Sequence, residues 1–378
     1  MGKRELVLVA IFAAMGIVVY QLTAAPPPPG SEGFSVGGMF QKLKREVQGS
    51  RETATAEFRD TMAVDSNIRL VRINFPRSND LTIVGTDSEE IRVEMDVTAR
   101  GFSPAEAKAA ADAAKVKMDR TSDAVAITTI WPDRGGKQGA GYVNTGTIKL
   151  SLPRRLQIRL EPHGGKLSVE NVGGIEIMGS RGETRILRST GHVALGHTGG
   201  KLEIDSVPSL KLTARNSNGT IKNVGGTFSL DATGVELQVR DVTGLVEIEA
   251  RNSEIVIDAA KLSKPPFRYN GTGGMLRITN LKTESRIDGR NVELDIALAA
   301  PAPVTIYSTG EDISVVAPPG GYSVNAVSTE GKVVLDDGSL KASGETEQRV
   351  TGPVRGGGPE LTLRATRADI RVRKPEGK

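Results

Sequence analysis

Short strands of alternating apolar residues recur every eight or nine residues between Lys166 and Asp258. The last four begin at residues 228, 237, 246 and 255, an even step of nine. A repeat this short and regular predicts a stack in which each strand covers its neighbours. The apolar pairs are Leu167/Val169, Ile175/Ile177, Val193/Leu195, Leu202/Ile204, Leu210/Leu212, Phe228/Leu230, Leu237/Val239, Val246/Ile248 and Ile255/Ile257.

Turn formers separate these strands, at Gly164-Gly165, Gly173-Gly174, Gly199-Gly200, Asn216–Gly219 and Gly225-Gly226. Two strands with their turns give a coil of about eighteen residues, the size of a small β-solenoid coil. We therefore predict a mainly β chain, a β-solenoid or β-helix-like stack of short strands. A long antiparallel sandwich is the alternative, because a hairpin meander also alternates strands and turns at such intervals.

Composition supports a β-rich chain and excludes several function classes. The 378 residues include 44 glycines and only 4% aromatic residues, which suits short strands and tight turns. The net charge of +4 is small for this length, Trp131 is the only tryptophan, and no basic stretch is interleaved with aromatic residues, so we predict no nucleic-acid partner. The absence of cysteine excludes disulfides and thiolate catalysis.

The N-terminus predicts a membrane anchor. Lys3 and Arg4 precede an apolar run from Leu6 to Tyr20, and the stretch extended to Ala25 reaches the roughly 20 residues that span a bilayer. We predict a signal anchor or transmembrane helix over residues 1–25, with its short basic end in the cytoplasm. A cleaved signal peptide and a buried helix are the alternatives.

Residues 26–63 are predicted as a Pro-rich and polar linker. Four prolines, Pro26–Pro29, favour stiff polyproline II. Phe40, Leu43 and Val47 fall at helical spacing and indicate a short amphipathic helix. This helix is interpreted as a solvated stalk, and a membrane-surface helix is the alternative.

Residues 64–153 are predicted as an N-terminal strand–helix–strand cap region. Ser103 is the predicted N-cap of its short α-helix, Pro104 the first helical residue, and Glu106 completes a capping box. The Ala-rich helix is expected to continue to about Val116. Alternating segments before and after it predict strands near residues 68–73, 81–84, 91–97, 124–131 and 146–153.

The β-strand-repeat solenoid is predicted over residues 154–350, followed by final strands and a basic tail over 351–378. Pro265-Pro266 loosens the repeat, and the Gly-rich stretch 352–359 is predicted as a break. Basic residues then cluster at the C-terminus. We interpret them as the charged guard of an edge strand, with contact to acidic polysaccharide or phospholipid headgroups as the alternative. They are Arg364, Arg367, Arg371, Arg373 and Lys374.

The order of these elements resembles a known family. The segments that carry the resemblance are Leu81–Asp87, Ile91–Val93, the capped helix at Ser103, Ile148–Pro153, Ile158–Leu160 and Gly164–Gly174. Together they are similar to the bacterial β-strand-repeat domains of unknown function named putative adhesins, and the resemblance spans residues 67–372. It implies a surface or periplasmic β-helical domain, often tethered by one membrane segment. It supplies no catalytic residues.

Motifs for chemistry are sparse in this sequence. The three histidines, His163, His192 and His197, lack a convincing third metal ligand nearby and are interpreted as surface residues. Four aspartates recur just after strands, where Asp is a common turn residue, although a ladder of carboxylates on one face would suit a glycan-cleaving enzyme. They are Asp205, Asp231, Asp241 and Asp258. We predict no catalytic, cofactor-binding or metal site.

These expectations combine into one hypothesis. The chain is predicted to be a single-pass protein of the cell inner membrane whose main body is extracytoplasmic, or periplasmic. It would act without enzymatic activity as a structural or adhesin-like binding module of the bacterial envelope. The expected partners are the membrane and a glycan or an envelope protein. A carbohydrate-active β-helix enzyme and an envelope-stress signalling accessory protein are the alternatives.

Overall fold

A computed structural model describes Gly16 and residues 52–75, 80–131, 142–263, 266–336, 338 and 340–375. The predicted anchor over residues 1–25 lies outside the described residues except for Gly16, and so does the linker up to residue 51. Among the residues described, no helix combines the length and the apolar character needed to cross a membrane.

The described residues form 26 strands and one bounded helix, so the mainly β class is confirmed. The first thirteen strands are β1 Glu52–Ala63, β2 Leu70–Asn74, β3 Asp80–Thr86, β4 Glu90–Gly101, β5 Lys115–Arg120, β6 Ala124–Ile130, β7 Tyr142–Pro153, β8 Gln157–Leu160, β9 His163–Gly164, β10 Leu167–Glu170, β11 Gly174–Arg181, β12 Thr184–Leu187 and β13 Val193–Val207. The rest are β14 Leu210–Val224, β15 Phe228–Thr233, β16 Glu236–Val242, β17 Val246–Asp258, β18 Phe267–Leu281, β19 Ser285–Leu298, β20 Val304–Thr309, β21 Ile313–Val316, β22 Tyr322–Thr329, β23 Val333–Leu335, β24 Glu347–Val354, β25 Glu360–Thr366 and β26 Ile370–Arg373. The helix, α1, is Pro104–Asp112.

The chain divides into two compact units. The first comprises residues 1–55, 98–113 and 132–144, and the second comprises residues 56–97, 114–131 and 145–378. The described part of the first unit contains α1. Ser103 caps it as predicted, since its side chain accepts a hydrogen bond from the Glu106 amide at 3.2 Å. The Glu106 carboxylate in turn accepts from the Phe102 amide at 3.1 Å, one residue before the cap.

Parallel pairing stacks the strands of the second unit in register. Val193 pairs with Leu210, Leu210 with Phe228, and Phe228 with Val246. These steps are 17, 18 and 18 residues by subtraction of the paired numbers, which agrees with the predicted coil of about eighteen. The antiparallel hairpins of a sandwich would pair chain neighbours instead. We call the residues of one such step a level and name it by the strand or strands that it contains. The first half of a level precedes its bend, and the second half follows it.

Inward side chains of successive levels stack on one another to form the core. In the second half of levels β13 to β19, one inward column holds only Ile or Val, each at most 3% exposed. The residues are Ile204, Ile221, Val239, Ile257, Ile278 and Ile296. Each such side chain contributes roughly 1.5–3 kcal/mol on full burial, more than the roughly 0.5–1 kcal/mol that a turn glycine costs. Burial therefore holds the levels together.

Residues with positive φ bend the long strands without ending them. Turns predicted at Gly199-Gly200 and Asn216–Gly219 lie inside the continuous strands β13 and β14, so the prediction of separate strands was wrong there. The bends of adjacent levels lie at residues that are paired in register, so the hydrogen-bond ladder continues around the corner. Positive φ recurs at this corner through seven aligned residues, the corner column: Gly199, Asn216, Gly234, Asn252, Gly273, Asn291 and Gly310.

Spatial order departs from chain order at both ends of the second unit. At the C-terminal end, β25 and β26 pair with β20 and β21 on one side and with β22 and β23 on the other. The antiparallel strand β24 pairs with β22 beyond them. At the N-terminal end, β2 lies between β6 and β8, and β5 pairs antiparallel with β6. The C-terminal strands are therefore interior, and their prediction as an edge was wrong.

Three strands lie where the sequence predicted none. Strand β1 occupies the end of the predicted linker, and β24 overlaps the predicted break. Helix α1 ends at Asp112, and the residues assigned to its continuation start β5, because Val116 is buried within an antiparallel pair with β6. These errors share a cause: each segment is fixed by its partner strand and not by its own pattern.

Candidate binding surface

Outward side chains of the second unit also stack in columns, because the levels are in register. Many opposite charges pair between adjacent levels. Examples are Arg185–Glu203 at 3.2 Å, Lys222–Asp205 at 3.3 Å and Arg277–Asp295 at 3.3 Å. Exposed pairs of this kind are worth less than about 1 kcal/mol each, so they describe an ordinary solvated surface. A binding surface is expected where charged side chains are unpaired or where the surface is concave.

A concave strip follows the corner column, and we call it the corner groove. It encloses about 530 Å³ and is lined by Gly200, Asn216–Asn218, Gly234–Glu236, Asn252 and Glu254. The exposed carboxylates of Glu236 and Glu254 belong to residues paired in register on adjacent levels. Like charges directly opposite each other destabilise a sheet, so stability does not explain this pair.

A second hollow, the face hollow, lies on the first half of levels β17 to β19. It encloses about 520 Å³, with Ile248 and Tyr269 beneath charged side chains. Arg268 pairs with Glu247 at 3.3 Å. Arg286 pairs with Asp288 at 2.9 Å, and its guanidinium lies 5.3 Å from the Tyr307 ring centroid. The hydrogen bond to Asp288 raises the pKa of Arg286 above its ordinary value.

Two of the three histidines are buried, so the prediction of surface histidines was wrong for them. His163 is 4% and His197 1% exposed, whereas His192 is exposed. Ser180 pairs with both buried histidines, which places the three side chains in one inward column next to a hollow of about 300 Å³. Desolvation by burial lowers the pKa of His197, against a backbone hydrogen bond with Gly200.

Burial argues against Ser180 and His197 as a nucleophile and its base. The Ser180 hydroxyl lies 3.2 Å from the Gly196 carbonyl oxygen and 2.8 Å from Nδ1 of His197. A nucleophile has to reach its substrate, yet Ser180 is only 4% and His197 only 1% exposed. The pair is a core contact.

The four aspartates of the sequence repeat do not form one ladder. Asp231 lies on the first half of its level, while the other three lie at the end of the second half. Asp205 and Asp258 share a column but stand three levels apart, since the register runs Asp205, Lys222, Arg240, Asp258. At roughly 4.7–4.9 Å per level this is about 14 Å, beyond the about 5–9.5 Å that separates glycosidase carboxylates.

Basic neighbours or hydrogen bonds fix Asp205 and Asp241 as structural groups. Asp241 pairs with Lys261 at 2.7 Å. Partial burial raises the pKa of Asp205, but hydrogen bonds from Asn223 and Ser206 and the ion pair with Lys222 outweigh it and leave that pKa below the ordinary value. Within the described ranges, no group of three or more His, Asp or Glu side chains could hold a metal ion.

The C-terminal basic cluster is partly neutralised. Arg371 pairs with Asp336 at 3.2 Å and Arg373 with Asp295 at 2.5 Å. Arg364 and Arg367 are exposed. The corner groove and the face hollow lie elsewhere, on levels β13 to β19.

Comparison with known proteins gives likeness to solved structures only. No family model and no curated protein matches the sequence. A cell adhesion protein from Clostridium sporogenes is 11% identical with a TM-score of 0.19, covering 85% of this chain and 100% of its own. Adhesins from Parabacteroides distasonis and Parabacteroides merdae are 9% and 10% identical with TM-scores of 0.27 and 0.24, covering 85% and 86% of this chain and 97% of their own.

The sequence resembles the family for which these structures are named. Their names are putative cell adhesion protein for the first and putative adhesin for the other two, and all come from bacteria. Superpositions with TM-scores below 0.5 carry no conclusion about architecture or activity. The fold and the surface described above rest on the strand pairing and side chains of this chain alone.

Proposed function

We propose that the chain is a non-enzymatic, adhesin-like binding module whose second unit is a β-solenoid. Parallel register over levels β11 to β21, at steps near eighteen residues, supports the solenoid. The observation that carries the function is the position of the corner groove and the face hollow on the most regular levels. An extended ligand can contact several levels at once there, which suits a glycan or another β-rich protein.

The carbohydrate-active enzyme is the rival that has an observation in its favour. Glu236 and Glu254 stand on adjacent levels, about 5 Å apart by strand spacing, and retaining glycosidases separate their carboxyl groups by about 5–5.5 Å. A general acid in such an enzyme is desolvated, yet both glutamates are exposed. The groove is therefore better suited to holding a sugar than to cleaving it.

The location of the protein belongs to the same proposal. Its support is the sequence of residues 1–25, basic and then apolar, followed by the proline run. An inner-membrane anchor of this kind leaves the β-rich body in the periplasm as a structural or adhesin-like module of the envelope. An envelope-stress accessory role is the alternative.

A glycan array probed with the full-length chain in detergent tests this function. We expect binding to some extended glycans and no release of shorter products. The double variant Glu236→Gln, Glu254→Gln is assayed in parallel. Glycan cleavage by the unaltered chain that disappears in this variant would replace the binding module with the enzyme.

A further inference from the structure

Arginine and threonine alternate from level to level along the outward column just before the corner. Register pairs Thr198 with Arg215, Arg215 with Thr233, and so on through the stack without exception up to β20. We call this the Arg–Thr column: Thr198, Arg215, Thr233, Arg251, Thr272, Arg290 and Thr309. Each arginine precedes an asparagine of the corner column, and each threonine precedes a glycine. The surface therefore repeats every two levels.

The three arginines of this column are exposed, and their guanidinium groups form no ion pair or hydrogen bond among the described residues. This distinguishes them from arginines on nearby levels, such as Arg268 and Arg277, which are paired. An unpaired guanidinium offers five donors in a planar fork that matches a carboxylate. Three such groups lie about 9.5–10 Å apart, two levels of about 4.7–4.9 Å each.

Acidic residues flank the column at some of its levels. At the level of Thr233, Asp231 lies on one side and Glu236 on the other, with no arginine between them. At the level of Thr272, the flanking residues Asn270 and Met275 carry no charge. A polymer with an anion at every level would be repelled at the Thr233 level and would find no cation in the column at the Thr272 level. The carboxylates at the Thr233 level can instead accept hydrogen bonds from sugar hydroxyls.

We propose that the Arg–Thr column and the adjoining corner groove bind an acidic linear polysaccharide that carries one carboxylate for every two sugar units. The carboxylates would lie against Arg215, Arg251 and Arg290, and the neutral sugars at the threonine levels. This rests on the proposed binding function and deepens it by naming the ligand class. Contact with successive levels makes binding multivalent, so affinity rises with polymer length.

Three polymers and the full-length chain in detergent test the inference. Hyaluronan alternates a uronic acid with a neutral sugar, polygalacturonate carries a carboxylate on every sugar, and dextran is uncharged. We expect hyaluronan to bind at least about tenfold more tightly than either of the others, with an affinity that falls as salt rises.

Two sets of variants identify the site. Arg215→Gln, Arg251→Gln and Arg290→Gln together should weaken hyaluronan binding at least about a hundredfold, because each removes a charge-assisted contact. The charge-matched control replaces Lys211, Arg240 and Arg364 with Gln, all exposed and outside the column, and should change affinity less than about threefold. Thr233→Arg with Thr272→Arg should shift the preference toward polygalacturonate.

Each outcome separates this inference from the proposed function. Equal or tighter binding of polygalacturonate or dextran, or equal effects of the two triple variants, would overturn the Arg–Thr column as the site while leaving a binding module. An array and polymer series without any binding would overturn both. Circular dichroism on each variant checks that the surface changes leave the β structure intact.

Discussion

At the scale of single residues, Tyr269 departs from the pattern of its column. Its neighbours in register are Ile248 and Ile287, and it is 2% exposed. Burial raises the pKa of Tyr269 to about 12, and its hydroxyl has no hydrogen-bond partner among the described residues. The phenol fits because Gly271 has no side chain: a Cβ there would lie 2.2 Å from the Tyr269 hydroxyl oxygen.

Gly271→Ala should therefore lower the free energy of unfolding by about 1–3 kcal/mol through overpacking. Adding Tyr269→Ile should recover most of this loss, because the preceding level already combines Ile248 with Ala250. Urea denaturation of the two single variants and the double variant measures the coupling. Gly289→Ala is the matched control, since its nearest contacts would be side chains at 3.3 and 3.4 Å. Additive effects of the two changes would contradict this account.

The buried His197 predicts a pH dependence of stability. Its folded pKa is lowered by burial, so below about pH 6.5 the unfolded chain binds a proton that the folded chain excludes. Stability should fall as the pH drops from about 6.5 toward the folded pKa. Urea midpoints between pH 7.5 and 5 measure this slope.

His197→Ala should remove that contribution to the slope while lowering stability at every pH, because it also removes packed volume. Ala214 already occupies the same position in the next level. His192→Ala changes an exposed histidine and provides the control that should keep the slope. An unchanged slope in His197→Ala would assign the acid sensitivity to other groups.

The apolar residues that pack inward could be predicted from the sequence, but the polar residues that also pack inward could not. Leu202/Ile204 and Leu237/Val239 are buried as their alternation indicates. His197 falls at a site where neighbouring levels place small residues, and only the register shows it. The two-level period of the Arg–Thr column was present in the sequence at steps of 35 to 39 residues (198 to 233, 233 to 272). A repeat of one level does not reveal this period, because successive levels carry different residues at the position.

At the scale of elements, the corner column explains how long strands turn. Its glycines and asparagines alternate, and each asparagine oxygen lies over the glycine of the next level. A Cβ on Gly273 would lie 2.4 Å from Oδ1 of Asn252, and one on Gly310 would lie 2.3 Å from Oδ1 of Asn291. Glycine is needed there both for its positive φ and for the space that the asparagine fills.

Gly199 and Gly273 separate these two requirements. Both have positive φ, +73° and +70°, but a Cβ on Gly199 would meet nothing within 4 Å. Gly199→Ala should cost about 1–2 kcal/mol from backbone strain alone. Gly273→Ala should cost more, because Asn252 must also move, and Asn252→Gly should relieve only that excess. Thermal or urea unfolding measures the difference, and equal losses for the two alanine variants would show that the asparagine contact contributes nothing.

At the scale of the whole molecule, the ends of the second unit decide which strands depend on one another. The final strands β25 and β26 lie between the β20/β21 level and the β22/β23 level. Sequence alone predicted an edge there because these strands come last and carry many basic residues. Strand partners distant in sequence leave no local signal, so the interior position could not be predicted from periodicity.

Truncation after Gly356 tests this arrangement, because it removes β25 and β26 and leaves every other strand. If these strands formed an edge, the truncation would leave the amides of the remaining strands protected from hydrogen exchange. Because they are interior, β22 and β23 lose their parallel partners, and only β22 keeps a paired strand, the antiparallel β24. An isolated two-stranded antiparallel pair is marginally stable in water, so amides of residues 322–354 should exchange as in an unfolded segment. The truncation also leaves β20 and β21 as an uncovered edge, which favours aggregation.

Hydrogen exchange read by mass spectrometry distinguishes the two arrangements, with truncation after Lys374 as the control. That shorter cut retains both final strands, including the Arg373–Asp295 ion pair at 2.5 Å, and should leave exchange over residues 322–354 unchanged. Protection of levels β13 to β18 should survive both truncations, since each level contacts mainly its neighbours and unfolding spreads from the end. Full protection of residues 322–354 after the longer cut would return β25 and β26 to the edge of the stack.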